Sequence, residues 1–299
     1  MDRHQALRIF QAVAADLSLA AAARRLNLSA PTVTRAMAAL EHHLGVALLQ
    51  RSTRGVSLSA AGERFAGDCR RLLRKVEDAE ASASGLHAQP RGQLNLAMPL
   101  LFGQQLLTPL LLDYLHEHPE VQLFAQYLDR FPNLHEEGVD VAVRLGDLPD
   151  SSLFALRVGS VRQVVCASPA YLAAYGVPDT PQALARHRLV HSSADARLPE
   201  WRFQQQGQPL NLPFRPRLSC TTQQAAIIAA CGDAGLTRCL SHQVHELLEQ
   251  GRLIRVLHAY EPPAVAVHVV YREGRKAAAR VRSFVDFAVG RLREHPALR

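Results

Sequence analysis

The sequence predicts an α/β protein in three parts: an all-helical N-terminal segment closed by a small β-hairpin, a long linking helix, and a larger C-terminal α/β domain. Three observations carry this. Up to Leu49 the apolar residues recur at helical spacing. From Phe65 to Leu86 they alternate spacings of four and three, the pattern of a heptad seam. Beyond Gln89-Pro90-Arg91-Gly92, a hinge by its proline and glycine, period-two stretches alternate with helical ones. The boundaries expected are 1–60, 61–88 and 92–299 within a chain of 299 residues, long enough for two or three domains.

Residues 3–15 read as a first helix, with Leu7, Phe10, Val13 and Ala14 on one face. Leu19 to Leu26 is alanine-rich and strongly helical. Asn27-Leu28-Ser29 is a turn, and Ser29 is a ready N-cap with Pro31 in the first turn behind it. Val33, Met37, Leu40 and Leu44 then bury one face and leave Thr32, Thr34 and Arg35 on the other. Short hydroxyls and an arginine on the first turns of a helix suit the major groove of DNA, although a plain helical hairpin has the same periodicity. The segment Arg51 to Leu58 alternates around a glycine and reads as a hairpin, or wing, whose Arg51 and Arg54 would meet phosphate. Ser59 can cap the long helix, whose seam Phe65, Cys69, Leu72, Val76, Ala79, Ala83 and Leu86 calls for the same helix of a second subunit. Two paired reading heads predict two half-sites in inverted repeat.

In the C-terminal part, Leu94 to Met98 and Val121 to Tyr127 read as strands, with a helix from Leu106 to Leu115 between them. A short helix and a strand from Val139 to Val143 follow, and the rhythm recurs from Val161 to Leu257. A last strand, Val265 to Tyr271, leads to a terminal helix facing inward with Val281, Phe284, Val285, Ala288 and Leu292. Such repetition predicts a parallel sheet.

Residues 1–62 resemble the helix-turn-helix domain of the LysR-type transcriptional regulators. The match runs through Phe10, Ser18, Ala21-Ala22, Leu26, Ser29, Pro31, Val33, Arg35, Leu40-Glu41, Leu44-Gly45, Leu48, Arg51, Leu58 and Ala61-Gly62. Ala30 stands where glutamine is usual, Leu49 where phenylalanine is, and Thr34 where serine is. Residues 92–299 resemble the effector-binding half of that family through Glu137 to Gly146, Ala167 to Leu172 and Gly251-Arg252-Leu253, with Asp233 at a usual glycine. The resemblance implies two lobes flanking a cleft, as in periplasmic solute-binding proteins, lobe I being about 92–162 with 267–299 and lobe II about 163–266. It also implies that the long helix pairs DNA-binding domains.

In open α/β sheets ligands sit beyond the carboxyl ends of the strands. Pro99-Leu100-Leu101-Phe102, Arg144 to Gly146 and Thr221-Thr222 occupy such places, and by resemblance they line the effector cleft. An apolar mouth beside Arg144 suits a small aromatic or aliphatic carboxylate. The alternative is that the apolar trio is only packed and Arg144 pairs with a carboxylate such as Asp147.

Catalytic signatures of the G-x-S-x-G, H-E-x-x-H, Walker and G-x-G-x-x-G kinds do not occur, so an enzyme is not expected. His242 and His245 share a helix face but lack a third metal ligand and read as surface histidines, as do His42-His43 and His116/His118. The five cysteines form no C-x-x-C pair and read as buried apolar residues, with a redox pair among Cys220, Cys231 and Cys239 as the alternative. No cofactor or metal is expected. The formal charge of +7 is nearly all arginine, Lys75 and Lys276 being the only lysines. A basic excess favours an anionic partner. The chain shows neither a signal-peptide-like apolar region nor a membrane-length run, so the expected location is the cytoplasm.

The function these readings predict is sequence-specific regulation of transcription from double-stranded DNA by a homodimer, or by analogy a tetramer. A small-molecule effector would control it, and an activator would also touch RNA polymerase. The competing function is a cytoplasmic solute-binding module whose helical N-terminus only oligomerises.

Overall fold

Four capping side chains set out the N-terminal unit. Asp2 accepts from the His4 N–H at the start of α1 (Arg3–Asp16), and Ser18 accepts from the Ala21 N–H at the start of α2 (Leu19–Arg25). Ser29 accepts from the Thr32 N–H to open α3 (Ala30–Leu44), which ends at Gly45 in the left-handed conformation, φ 67°. A hairpin follows, β1 (Leu49–Ser52) against β2 (Gly55–Leu58), with Leu49 opposite Leu58. Ser59 then caps α4 (Ala60–Ala83), accepting from the Gly62 N–H at 3.0 Å. The computed structural model describes residues 2–52, 55–83, 90–148, 153–193, 199–272 and 277–299. It divides into two compact units, Met1–Gln89 and Pro90–Arg299.

Ile9, Phe10, Val13, Val33, Met37 and Leu48 form the centre of the first unit. The seam of α4 departs from the heptad expectation. Its first members are spent within the chain: Cys69 is buried in this core beside Ala66, and the Phe65 ring lies 5.3 Å from that of Phe10. Only beyond that turn does apolar surface emerge, with Leu72 53% and Val76 38% exposed. Leu86 lies outside the described residues. Spacing alone does not separate a helix packed against its own domain from one packed against a partner.

The second unit is built on two five-stranded sheets. The first has the order β4 (Val121–Tyr127), β3 (Gly92–Met98), β5 (Val141–Leu145), β14 (Val265–Tyr271), β6 (Phe154–Val161). The second has the order β11 (Leu218–Cys220), β8 (Leu189–Ser192), β12 (Leu236–Leu240), β7 (Gln163–Ala167), β13 (Ile254–Val256). Neither is the purely parallel sheet expected. β3 runs parallel to β4 and β5, but β14 is antiparallel to β5 and β6. In the second, β11, β8 and β12 are parallel, whereas β7 is antiparallel to β12 and β13. The reversed strands are those by which the chain passes from one sheet to the other and back. A crossing strand enters without a crossover helix and so escapes the rule for strand–helix–strand units.

A continuous helical stretch follows β3: α5 (Leu100–Phe102), a π-type turn at Gly103–Leu107, and α6 (Thr108–Glu117). α6 and α10 (Ala279–Glu294) cover the first sheet, and α10 buries Val281, Phe284, Val285, Ala288 and Leu292 as its spacing predicts. The short helix expected before β5 is instead a turn at residues 134–138. The second sheet carries α7 (Pro169–Tyr175), α8 (Gln223–Cys231) and α9 (His245–Glu249). An antiparallel hairpin, β9 (Glu200–Gln205) with β10 (Gln208–Pro213), turns through Gln206-Gly207 at φ 51° and 78° and lays Trp201 and Phe203 into that lobe's core.

Candidate DNA-reading helix and ligand cleft

In α3 the buried face is Val33, Ala36, Met37 and Leu40, and Ser29, Ala30, Pro31 and Arg35 are exposed. Thr32 and Thr34 are half-buried, and their hydroxyls are engaged. The Ser29 and Thr32 hydroxyls bond to one another at 2.8 Å, and the Thr34 hydroxyl donates to the Ala30 carbonyl at 3.0 Å. A hydroxyl whose proton is so used keeps its acceptor lone pairs, so what Thr34 offers outward is an acceptor and a methyl group. The Arg35 Nε donates back to the Pro31 carbonyl at 3.4 Å, a weak bond that leaves the outer guanidinium amines to reach outward. The backbone of Arg51 lies in β1 opposite Val56, and Arg54 lies outside the described residues.

In the second unit a cavity of about 310 Å³ opens at the carboxyl ends of β3, β4, β5, β11 and β12. Pro99, Leu100, Leu101, Phe102, Arg144 and Thr222 line it; Gly146 and Thr221 do not. Gly146 is turned into the sheet edge, its N–H donating to the Ala266 carbonyl at 2.9 Å. Thr222 caps α8, accepting from the Ala225 N–H at 3.3 Å.

The two cavity arginines differ. Arg130 is held by a bidentate pair with Glu137 (2.7 and 2.6 Å), which pushes the guanidinium pKa up and draws the carboxyl pKa down. Arg144 meets Asp147 through the backbone carbonyl, its Nε donating at 2.9 Å, and stacks 4.6 Å from the Phe131 ring centre. The alternative pairing with the Asp147 carboxylate is not formed, and among the described residues the Arg144 terminal amines make no hydrogen bond.

Comparison with known proteins decides the family. The description "Bacterial regulatory helix-turn-helix protein, lysR family" matches residues 4–63, and "LysR substrate binding domain" matches 87–293. The chain belongs to the LysR family. As a LysR-type protein it is a transcriptional regulator that binds DNA through its helix-turn-helix and a small-molecule effector through its C-terminal domain. It is 34% identical over 290 residues to an HTH-type transcriptional regulator of Xanthomonas campestris, covering 95% of this chain and 84% of the relative. It is 31% identical over 298 residues to an HTH-type transcriptional repressor of Pseudomonas aeruginosa, covering 99% and 94%. The structure of CrgA, a LysR-type regulator from Neisseria meningitidis, superposes with a TM-score of 0.62 at 28% identity, covering 98% and 99%.

Several residues of this LysR-type chain have roles that spacing did not reveal. One Glu41 carboxylate oxygen accepts from the Leu48 N–H (2.8 Å) and the Leu49 N–H (3.0 Å), tying the reading helix to the start of the wing. Gly62 is required because a Cβ there would lie 2.0 Å from the Leu48 carbonyl oxygen. Gln11 donates to the Ala66 carbonyl and joins α1 to α4. The matching pattern singled out Glu41 and Gly62; their partners, seven and fourteen residues away in sequence, are a matter of tertiary structure.

His242 corrects the surface reading. It sits in a short 3-10 turn, Ser241–Val244, lines the cavity, and is 3% exposed with neither ring nitrogen hydrogen-bonded. Its ring meets Phe102 edge-on at 5.2 Å, and burial lowers its pKa to about 4, so the imidazole is neutral. His245 stays half-exposed beside Glu249 at 3.4 Å. Among the described residues no group of three His, Cys, Asp or Glu can hold a metal. The cysteines are free; Cys166 and Cys239 lie 3.9 Å apart, buried between β7 and β12, whereas Cys220 is half-exposed. Asp233, at φ 62°, accepts from the Ser168 hydroxyl, the cap of α7, which gives the unusual carboxylate a structural use.

Proposed function

We propose that this chain regulates transcription by binding alone, without catalysis, and that Ser29, Ala30, Pro31, Thr32, Thr34 and Arg35 read bases while Arg51 and Arg54 hold phosphate. The observation that carries the reading is α3: one face is fully committed to the core, and the opposite face, beginning at its N-terminus, is exposed and ends in an arginine. Phosphate contacts supply salt-dependent affinity, and α3 supplies discrimination. The DNA target places its work in the cytoplasm.

The effector is a small carboxylate held in the cavity by the terminal amines of Arg144, against Pro99, Leu100, Leu101 and Phe102 and beside the α8 N-terminus at Thr222. The working unit is a homodimer. Leu72 and Val76 on α4 support one contact. Exposed Leu112 and Phe124 at the β4 edge, with Leu218 and Ile228 at the β11 edge, support a second. Two distinct contact surfaces on one chain build a tetramer, and an activating member would present RNA polymerase with a further surface. Effector closure shifts the spacing of the paired heads through its differential affinity for two quaternary states.

The test is protection of the intergenic DNA flanking the protein's own gene, at several salt concentrations and against scrambled competitor. A roughly palindromic footprint that Arg35→Ala abolishes, with oligomeric state unchanged, is expected. Unaltered selective binding by Arg35→Ala would remove α3 from the reading role. Equal, weak binding to both DNAs would favour the solute-binding alternative.

A further inference from the structure

We propose that the second lobe carries a small-molecule site of its own, separate from the cleft, that takes an aryl carboxylate. A cavity of about 460 Å³, larger than the cleft, lies between the 3-10 turn Pro181–Arg186 and the β9–β10 hairpin, and none of its described lining residues belongs to the cleft. Its volume is that of a site for a compact organic molecule. Buried Leu184, Leu189 and Trp201 make the floor, and Phe214 leans on Trp201 with ring centres 4.8 Å apart and planes at 58°. Tilted aromatic walls offer both a face and an edge to a flat ring.

The polar groups on the rim are donors. The Tyr171 hydroxyl accepts from the Arg188 N–H at 2.8 Å and also bonds His187 Nδ1, 3.2 Å away. With the tyrosine proton directed to Nδ1, the neutral ring carries its hydrogen on Nε2 and offers it as a donor. Burial draws the His187 pKa down, in keeping with an uncharged ring. Arg215 is exposed on the same rim, and among the described residues its guanidinium has no hydrogen bond and no ion pair. Among the described residues no aspartate or glutamate lines the cavity. An apolar, aromatic floor under an unpaired cation and a spare N–H matches a planar ring that carries an acceptor-only anion. Among the described lining residues a cation meets no counter-charge, and a neutral ring leaves Arg215 without a partner.

The chain's only tryptophan is Trp201, so the occupant of this cavity reports on itself. Full-length protein is titrated with para-fluorobenzoate and with the neutral para-fluorobenzamide, following Trp201 fluorescence and the ligand's fluorine resonance. Saturable binding of the acid, at least roughly tenfold tighter than the amide, is expected for a charge-assisted contact. Arg215→Ala should weaken it by a similar factor. Ala185→Phe, which plugs the mouth from an exposed position, should abolish the Trp201-detected binding, and Arg144→Ala should leave that Trp201 signal unchanged. No saturable signal into the millimolar range overturns the proposal, as does equal binding of the amide. Binding lost in Arg144→Ala but kept in Arg215→Ala and Ala185→Phe assigns the acid to the cleft and overturns it too. The far-UV spectrum of each variant verifies folding, and Ala185 and Arg215 are both exposed.

Discussion

Removing the Glu41 carboxylate should unfasten the reading helix from the wing. Its oxygen accepts two backbone N–H groups, from Leu48 and Leu49, whose residues are 1% and 6% exposed and so have little recourse to water. A hydrogen bond to a charged group contributes about 1.5–3 kcal/mol. Two of them, discounted because Glu41 is itself half-exposed, give about 2–4 kcal/mol lost in Glu41→Ala and about 1 kcal/mol in Glu41→Gln, which keeps an acceptor oxygen. With a urea slope of roughly 1–3 kcal/mol per molar, the alanine variant should unfold about 1–2 M earlier. The assay separates the units: Trp201 lies in the second, so fluorescence is blind to the first, whereas circular dichroism sees helices in both. An early shift in dichroism with an unmoved fluorescence transition is expected. An unmoved dichroism curve, or equal shifts by both probes, would refute the reasoning.

Three further outcomes concern the helix packing, the cleft histidine and the thiols. Gly62→Ala drives a Cβ into the Leu48 carbonyl, so DNA binding and the first dichroism transition should both be lost while the fluorescence transition persists. His242 has its folded pKa, about 4, below its ordinary 6.5, so the unfolded chain takes up the proton first. Its contribution is therefore present above pH 6.5 and is lost as pH falls toward 4, by about 2 kcal/mol at pH 5. The fluorescence-detected urea midpoint should drop accordingly, and His242→Leu should flatten the drop; an equal slope in that variant would assign the acid sensitivity elsewhere. Alkylation mapped by mass spectrometry should find Cys220 first, then Cys231, whose thiol burial pushes up. Cys69, raised by burial to about 11 with Asp68 adding to it, and the Cys166–Cys239 pair should stay protected until unfolding.

Local chemistry was legible in the sequence where it acts over a few residues. Ser29, Ser59 and Pro31 start their helices as capping rules require, and the inward faces of α3 and α10 match their spacing. The cleft segment Pro99 to Phe102 could be located because strand ends are visible as pattern breaks. What escaped depended on distant partners. The antiparallel entry of β14 is set by where the chain returns, not by residues 265–271 themselves. His242 looks polar in sequence and is buried by Phe102, 140 residues earlier. The first turns of α4 look like an oligomer seam until α1 is folded against them.

The way the chain passes between the two sheets bears on protein engineering. It leaves the first sheet at Val161 and re-enters at Val265, and these two residues are register partners in adjacent strands. Their Cα atoms therefore sit about one strand spacing apart, roughly 5 Å. A two- or three-residue turn can span that gap, so the whole segment between them is topologically a cassette. It can be cut out, exchanged for the corresponding segment of another family member, or used as an insertion point for a reporter domain. Each such graft leaves the first sheet's strand order untouched.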